Sequence, residues 1–100
     1  MQNPEEEQKK FKQIKIWFLD SDLDRIKAAA KSEGVQHMSV WIEQAIEDRL
    51  KNGDDKSFEV PAGNQRLRIS LSSNLINSIE EKKGERDLKV WIKEAVYLKL

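Results

Sequence analysis

Between Gln13 and Phe18 the chain alternates, with Ile14, Ile16 and Phe18 on one side and Gln13, Lys15 and Trp17 on the other. A period of two, rich in β-branched and aromatic residues, predicts a half-buried strand around Ile14–Phe18. From Asp20 the period lengthens. Asp20 and Ser21 are helix-start residues, Leu23, Ile26, Ala29 and Ala30 recur at helical spacing, and Gly34 supplies a stop. After a turn over Val35–Met38, where His37 reads as an ordinary turn residue, Ser39 stands in an N-cap position. Val40, Trp41, Ile42, Ala45, Ile46 and Leu50 then form the apolar face of a second helix.

The whole pattern then recurs. Leu67, Ile69 and Leu71 alternate with Arg66, Arg68 and Ser70; Ser72 or Ser73 opens a helix carrying Leu75, Ile76 and Ile79; and Gly84 follows Gly34 by fifty residues. Val90, Trp91, Ile92, Ala95, Val96 and Leu100 repeat the second helical face, so that Val-Trp-Ile-x-x-Ala occurs at 40–45 and again at 90–95. The strands match at an offset of fifty-three and the second helices at fifty, so the first helix of the second copy, or its turn, is three residues shorter. Helical spacing within an apolar face assigns Trp41 and Trp91 to the core rather than to a stacking or cofactor site.

This organises the chain as a disordered tail over 1–8, a strand-helix-helix repeat over 9–50, a linker over 51–64 with two glycines and a proline, and a second repeat over 65–100. Units of about fifty residues bury too little surface to stand alone, so the copies are expected to share one core. The expected fold is mainly α with a two-stranded antiparallel β-ribbon. The inward faces of the paired strands close over four helices, each inward side chain contributing about 1.5–3 kcal/mol, and the outward faces form one exposed ribbon. Trp17 falls on that outward face. A slip of one residue would instead bury it and expose Ile16 and Phe18.

Composition narrows the chemistry. The chain has no cysteine and one histidine, which removes thiolate chemistry and multi-histidine metal sites, and no metal or cofactor is expected. No apolar run reaches the roughly 18–20 residues of a membrane span, and the start lacks a signal-peptide layout, so a cytoplasmic protein without a membrane partner is expected. There is no glycine-rich phosphate loop, no nucleophile beside a plausible base and no carboxylate pair set for a cleft. Neither an enzyme nor a small-molecule substrate is therefore expected, and the acids read as solvated helix faces. Net charge is zero but unevenly spread: Gln8–Leu19 holds Lys9, Lys10, Lys12 and Lys15 without an acid, and Gln65–Leu71 holds Arg66 and Arg68 without an acid. Local sign, more than total charge, governs attraction to a polyanion.

The sequence resembles the ribbon-helix-helix family, the fold of the Arc and methionine repressors. The resemblance rests on Arg-Leu-Arg-Ile-Ser-Leu-Ser (66–72) leading into Leu75, Ile76 and Ile79, and on Gly34 followed by Ser39-x-x-Ile42-x-x-Ala45; it covers everything except tail and linker. Members are usually homodimers of shorter chains, so this chain is similar to a tandem single-chain form, as among conjugative-transfer accessory proteins, and the resemblance implies an intramolecular pseudo-dimer. It implies a protein that reads double-stranded DNA in the major groove with its ribbon, as transcriptional repressor or as accessory protein in plasmid transfer or maintenance. The base-reading residues implied are Gln13, Lys15, Trp17, Arg66, Arg68 and Ser70, Trp17 against a thymine methyl or a partner surface. Phosphate is implied at the starts of the second helices, Ser39–Val40 and Lys89–Val90, and Lys12, with Lys9 and Lys10, is either a backbone contact or part of a solvated run. Lys89 departs from the family's small hydroxyl, and Asp87 is an alternative cap. Because the reading residues differ between strands, an asymmetric subsite of a few base pairs is expected, with longer sites taken by molecules side by side. The alternative is a protein-interaction module, such as an antitoxin or adaptor, with weak or no DNA binding.

Overall fold

Two runs of alternating residues become strands and four amphipathic runs become helices. The computed structural model describes residues 10–53 and 59–100. The expected tail, Lys9 and linker residues 54–58 lie outside the described residues. In chain order the elements are β1 (Phe11–Phe18), α1 (Asp20–Ser32), α2 (Met38–Asn52), β2 (Gln65–Ser72), α3 (Ser73–Lys83) and α4 (Leu88–Lys99). No helix among the described residues is long and apolar enough to cross a membrane.

β1 and β2 form a two-stranded antiparallel sheet, with Ile14 opposite Ile69, Ile16 opposite Leu67 and Lys15 opposite Arg68. β1 begins three residues ahead of the expected strand. Ile14, Ile16, Phe18, Ile69 and Leu71 are buried inward and Leu67 is half-buried, so one face of the ribbon is core. That core continues into Ile26 and Ala30 of α1, Trp41, Ile42, Ala45 and Ile46 of α2, Ile76 and Ile79 of α3, and Trp91, Ile92, Ala95 and Val96 of α4. Both tryptophans are fully buried, as their spacing predicts. Val40 and Val90, assigned by spacing to the buried helix faces, are exposed instead, because each lies in the first turn ahead of the buried arc.

The helix ends follow local chemistry, with two corrections. α1 closes in a Schellman arrangement: Val35 N–H donates to Ala30 C=O at 2.8 Å and Gly34 N–H to Lys31 C=O at 3.1 Å, while Gly34 takes the left-handed φ of 74° that the motif needs. Ser72 caps α3 by accepting from Leu75 N–H at 3.2 Å. The N-cap position of α1 is Leu19, with no side-chain cap, and the Asp20 N–H is met by Asn64 Oδ1 at 3.2 Å. α2 starts at Met38 behind His37, not behind Ser39; Met38 packs against the core, and this packing draws the helix start forward. The three-residue difference between copies divides between α1, thirteen residues against eleven in α3, and a connection longer by one residue.

α2 and α4 pack against each other and carry a buried ionic contact. Arg49 Nη1 lies 3.0 Å from Glu94 Oε1 and donates to Trp91 C=O at 2.8 Å, its guanidinium 4.5 Å from the Trp91 ring centroid. Arg86 approaches the same carboxylate at 3.7 Å. Glu94 is 0% exposed, which overturns the reading of every acid as part of a solvated face. Fifty residues from Arg49, Lys99 sits 5.6 Å from the Trp41 ring centroid, with Asp48 at 3.2 Å and Glu33 at 3.4 Å. Burial pushes the Lys99 ammonium pKa down, but the hydrogen bond to Asp48 and the charge of Glu33 outweigh it and hold it above its ordinary value. Asp22, also buried, accepts from Tyr97 Oη at 2.5 Å, and burial together with that bond raises the Tyr97 pKa well above the ordinary phenol range.

The end of the linker is built into the ribbon. Asn64 N–H donates to Phe18 C=O at 3.0 Å and Lys93 Nζ donates to Pro61 C=O at 2.6 Å. Between them Gly63 crosses β1 so closely that an added Cβ would stand 2.1 Å from Phe18 N and from Trp17 C. Both obstacles are backbone and cannot rotate away. Gly63→Ala is expected to destabilise the fold by about 1–3 kcal/mol, the range for forced overpacking, measured as a lower urea midpoint with unchanged slope.

Candidate nucleic-acid interface

With Ile14, Ile16 and Phe18 facing inward, the pleat turns Phe11, Gln13, Lys15 and Trp17 to the opposite face of β1. On β2 the same rule turns out Arg66, Arg68 and Ser70. The antiparallel register joins six of these residues into three cross-strand pairs: Gln13 with Ser70, Lys15 with Arg68, and Trp17 with Arg66. All six are exposed, Trp17 at 49%, so the register that turns Trp17 outward is the one adopted.

Lys15, Arg66 and Arg68 put three cations on this face without an acid among its described residues, and Lys10 and Lys12 stand exposed where β1 begins. Lys15 and Arg68 are direct partners in the ladder. Like charges placed opposite each other destabilise a strand pair, so this pairing works against the fold and an anion bound there would relieve it. Lys12 occupies an inward register position, opposite Leu71, but it lies near the ribbon end and remains exposed.

The starts of α2 and α4 differ. α2 has no side-chain cap, and Val40 is exposed beside half-buried Ser39. At α4 the Asp87 carboxylate accepts from Lys89 N–H at 3.0 Å and Val90 N–H at 3.3 Å. Asp87 is thus the cap that the missing hydroxyl at Lys89 left open. The two amides expected to be offered to phosphate already hold a carboxylate, whose charge opposes a second anion, and the exposed Lys89 ammonium is the group left to meet one there.

Phe11 is the face residue that sequence reasoning missed. It is 64% exposed, in register with Ser72, and continues the outward row Phe11, Gln13, Lys15, Trp17. The signal was the same alternation carried two residues back, but it is interrupted by Lys12, a polar residue at an inward position. Compared with protein-family models, with curated proteins and with solved structures, the chain matches none.

Proposed function

We propose that this chain is a sequence-reading DNA-binding protein of the ribbon-helix-helix type, two tandem units pairing within one chain as a pseudo-dimer and laying their ribbon in the major groove. A two-stranded ribbon fits that groove, and its side chains meet base edges there. The observation that carries the reading is the outward face itself: three cations and no acid among its described residues, one of them set directly against another. In this reading Arg66, Arg68 and Lys15 donate to guanine O6 and N7, Gln13 pairs with adenine, and Ser70 donates or accepts at a neighbouring edge. Phosphate is met by the amides at Ser39–Val40, the Lys89 ammonium beside Val90, and Lys12.

Two features support the pseudo-dimer. Arg49 lies over Trp91 while Lys99, its counterpart fifty residues on, lies over Trp41, the reciprocal pattern of a two-fold interface. In the ribbon, the strand offset of fifty-three makes Lys15 and Arg68 equivalent, and they are direct partners, as residues astride a two-fold axis must be. Away from that centre the copies diverge: Gln13 corresponds to Arg66 and Trp17 to Ser70. The site read is therefore asymmetric and a few base pairs long, suited to a transcriptional repressor or to an accessory protein of plasmid transfer or maintenance, several molecules standing side by side on longer sites.

Selection from random duplex DNA at moderate salt tests this. A short non-palindromic motif should be enriched, with affinity falling as salt rises in proportion to the phosphates neutralised. A pool without enrichment, together with a stoichiometric protein co-purifying from the native host, would transfer the function to a protein partner.

A further inference from the structure

We propose that Phe11 and Trp17 are thymine-reading residues, each covering the C5 methyl of a thymine in the duplex; the inference rests on the DNA reading above. They are the two exposed aromatic residues with large apolar exposure among the described residues, at 64% and 49%. Both belong to the outward row of β1, with Gln13 and Lys15 between them. At about 3.4 Å per residue they stand roughly 20 Å apart, so they address two separate thymines at either end of the part read by β1.

Neither ring belongs to the core. At the strand offset of fifty-three Trp17 corresponds to Ser70, so the second copy places a small polar residue where the first has an aromatic, while Phe11 stands at the end of the ribbon opposite Ser72. Ser70 occupies an equivalent outward position in the same ribbon. Ser70 shows that this face accepts a small polar residue, so the Trp17 ring is available to whatever the outward face meets.

What covers it is set by its neighbours. Arg66 is the direct ladder partner of Trp17, and Lys15 and Arg68 are the next pair along the same face. An apolar protein surface seated there would strand three cations without an anion, whereas the major groove supplies phosphates at its walls and guanine acceptors at its floor. The apolar element on that floor is the thymine methyl, which cytosine lacks. Trp17 and Phe11 thus add discrimination between thymine and cytosine that the arginines and lysine, as donors to guanine, do not provide.

Replacing thymine by deoxyuridine in the selected duplex removes the methyl and nothing else. The wild-type chain should bind the uracil duplex about fourfold more weakly per contacted methyl, the worth of one buried carbon, and more than about tenfold for two. Trp17→Ser should retain only the step due to Phe11, and Phe11→Ser/Trp17→Ser should bind both duplexes alike. Because Trp41 and Trp91 are buried, acrylamide quenching of the native chain reports mainly on Trp17, and it should decrease on DNA binding and not change in Trp17→Ser. Equal binding of the two duplexes by the wild type, or full discrimination kept by the double variant, overturns the inference. A pool in which no duplex is enriched brings down the DNA reading itself, whereas an enriched duplex insensitive to its methyls brings down this inference alone.

Discussion

Glu94→Gln is expected to remove about 3–5 kcal/mol of folding free energy, the cost of taking one partner out of a buried ion pair. Natural domains hold only about 5–15 kcal/mol in all, so the loss is a large share of the total and should appear as a much lower urea midpoint with unchanged slope. The reason is positional. Arg49 and Glu94 have side chains 1% and 0% exposed, Arg86 lies against the same carboxylate, and Trp91 closes the guanidinium from one side. A neutral amide can still accept a hydrogen bond, but it leaves a guanidinium charge in the interface of α2 and α4 without its counter-charge. Arg49→Met/Glu94→Leu removes both buried charges and keeps apolar volume, so it should recover much of the loss, less what Arg86 gives up with the carboxylate; with Arg49→Met and Glu94→Leu made singly, the cycle measures the coupling. A Glu94→Gln variant within about 1 kcal/mol of the native chain would mean that water reaches this carboxylate and screens the pair. The equivalent position in the first copy is Gln44, so the contact belongs to one side of the molecule only.

That one-sidedness explains which parts of the molecule could be read from the sequence. Period two fixes which ribbon face is buried, because a single residue of slip would have brought Ile16 and Phe18 into water, and it thereby named Gln13, Lys15, Trp17, Arg66, Arg68 and Ser70 as one surface. Period 3.6 likewise assigned Trp41 and Trp91 to the core. Neither period speaks to pairing across helices. Glu94 sits in the run Trp91–Val96, every residue of which is buried, so its charge is tolerated only because Arg49, forty-five positions away, arrives beside it. Caps were legible where a side chain acts locally, as Ser72 and Asp87 do. They were not legible at His37, where packing of Met38 decides the start, nor at Asp20, whose amide is met from the linker by Asn64. Gly63 reads in the sequence as linker punctuation; that it must pass against the backbone of β1 is a property of the assembled ribbon.

Lys15→Glu is expected to move stability and DNA binding in opposite directions. Lys15 faces Arg68 across the ladder, and a glutamate there would turn a repulsive pair into an attractive one. Opposite charges directly across a strand pair are worth about 0.2–1 kcal/mol, so the melting temperature should rise by a few degrees. Affinity for the selected duplex should fall by at least about 100-fold, since a donor to guanine is lost, Arg68 is drawn into the new ion pair, and a carboxylate is placed against the groove. Arg68→Ala separates these effects: it should weaken binding by about 5–150-fold and relax base preference at the centre of the site, with stability nearly unchanged or slightly higher. A surface kept only for solubility would give the rise in stability without the loss of binding. If Arg68→Ala folds normally and keeps both affinity and base preference, the outward face of the ribbon is not the reading face, and the paired cations at its centre need another anion to explain them.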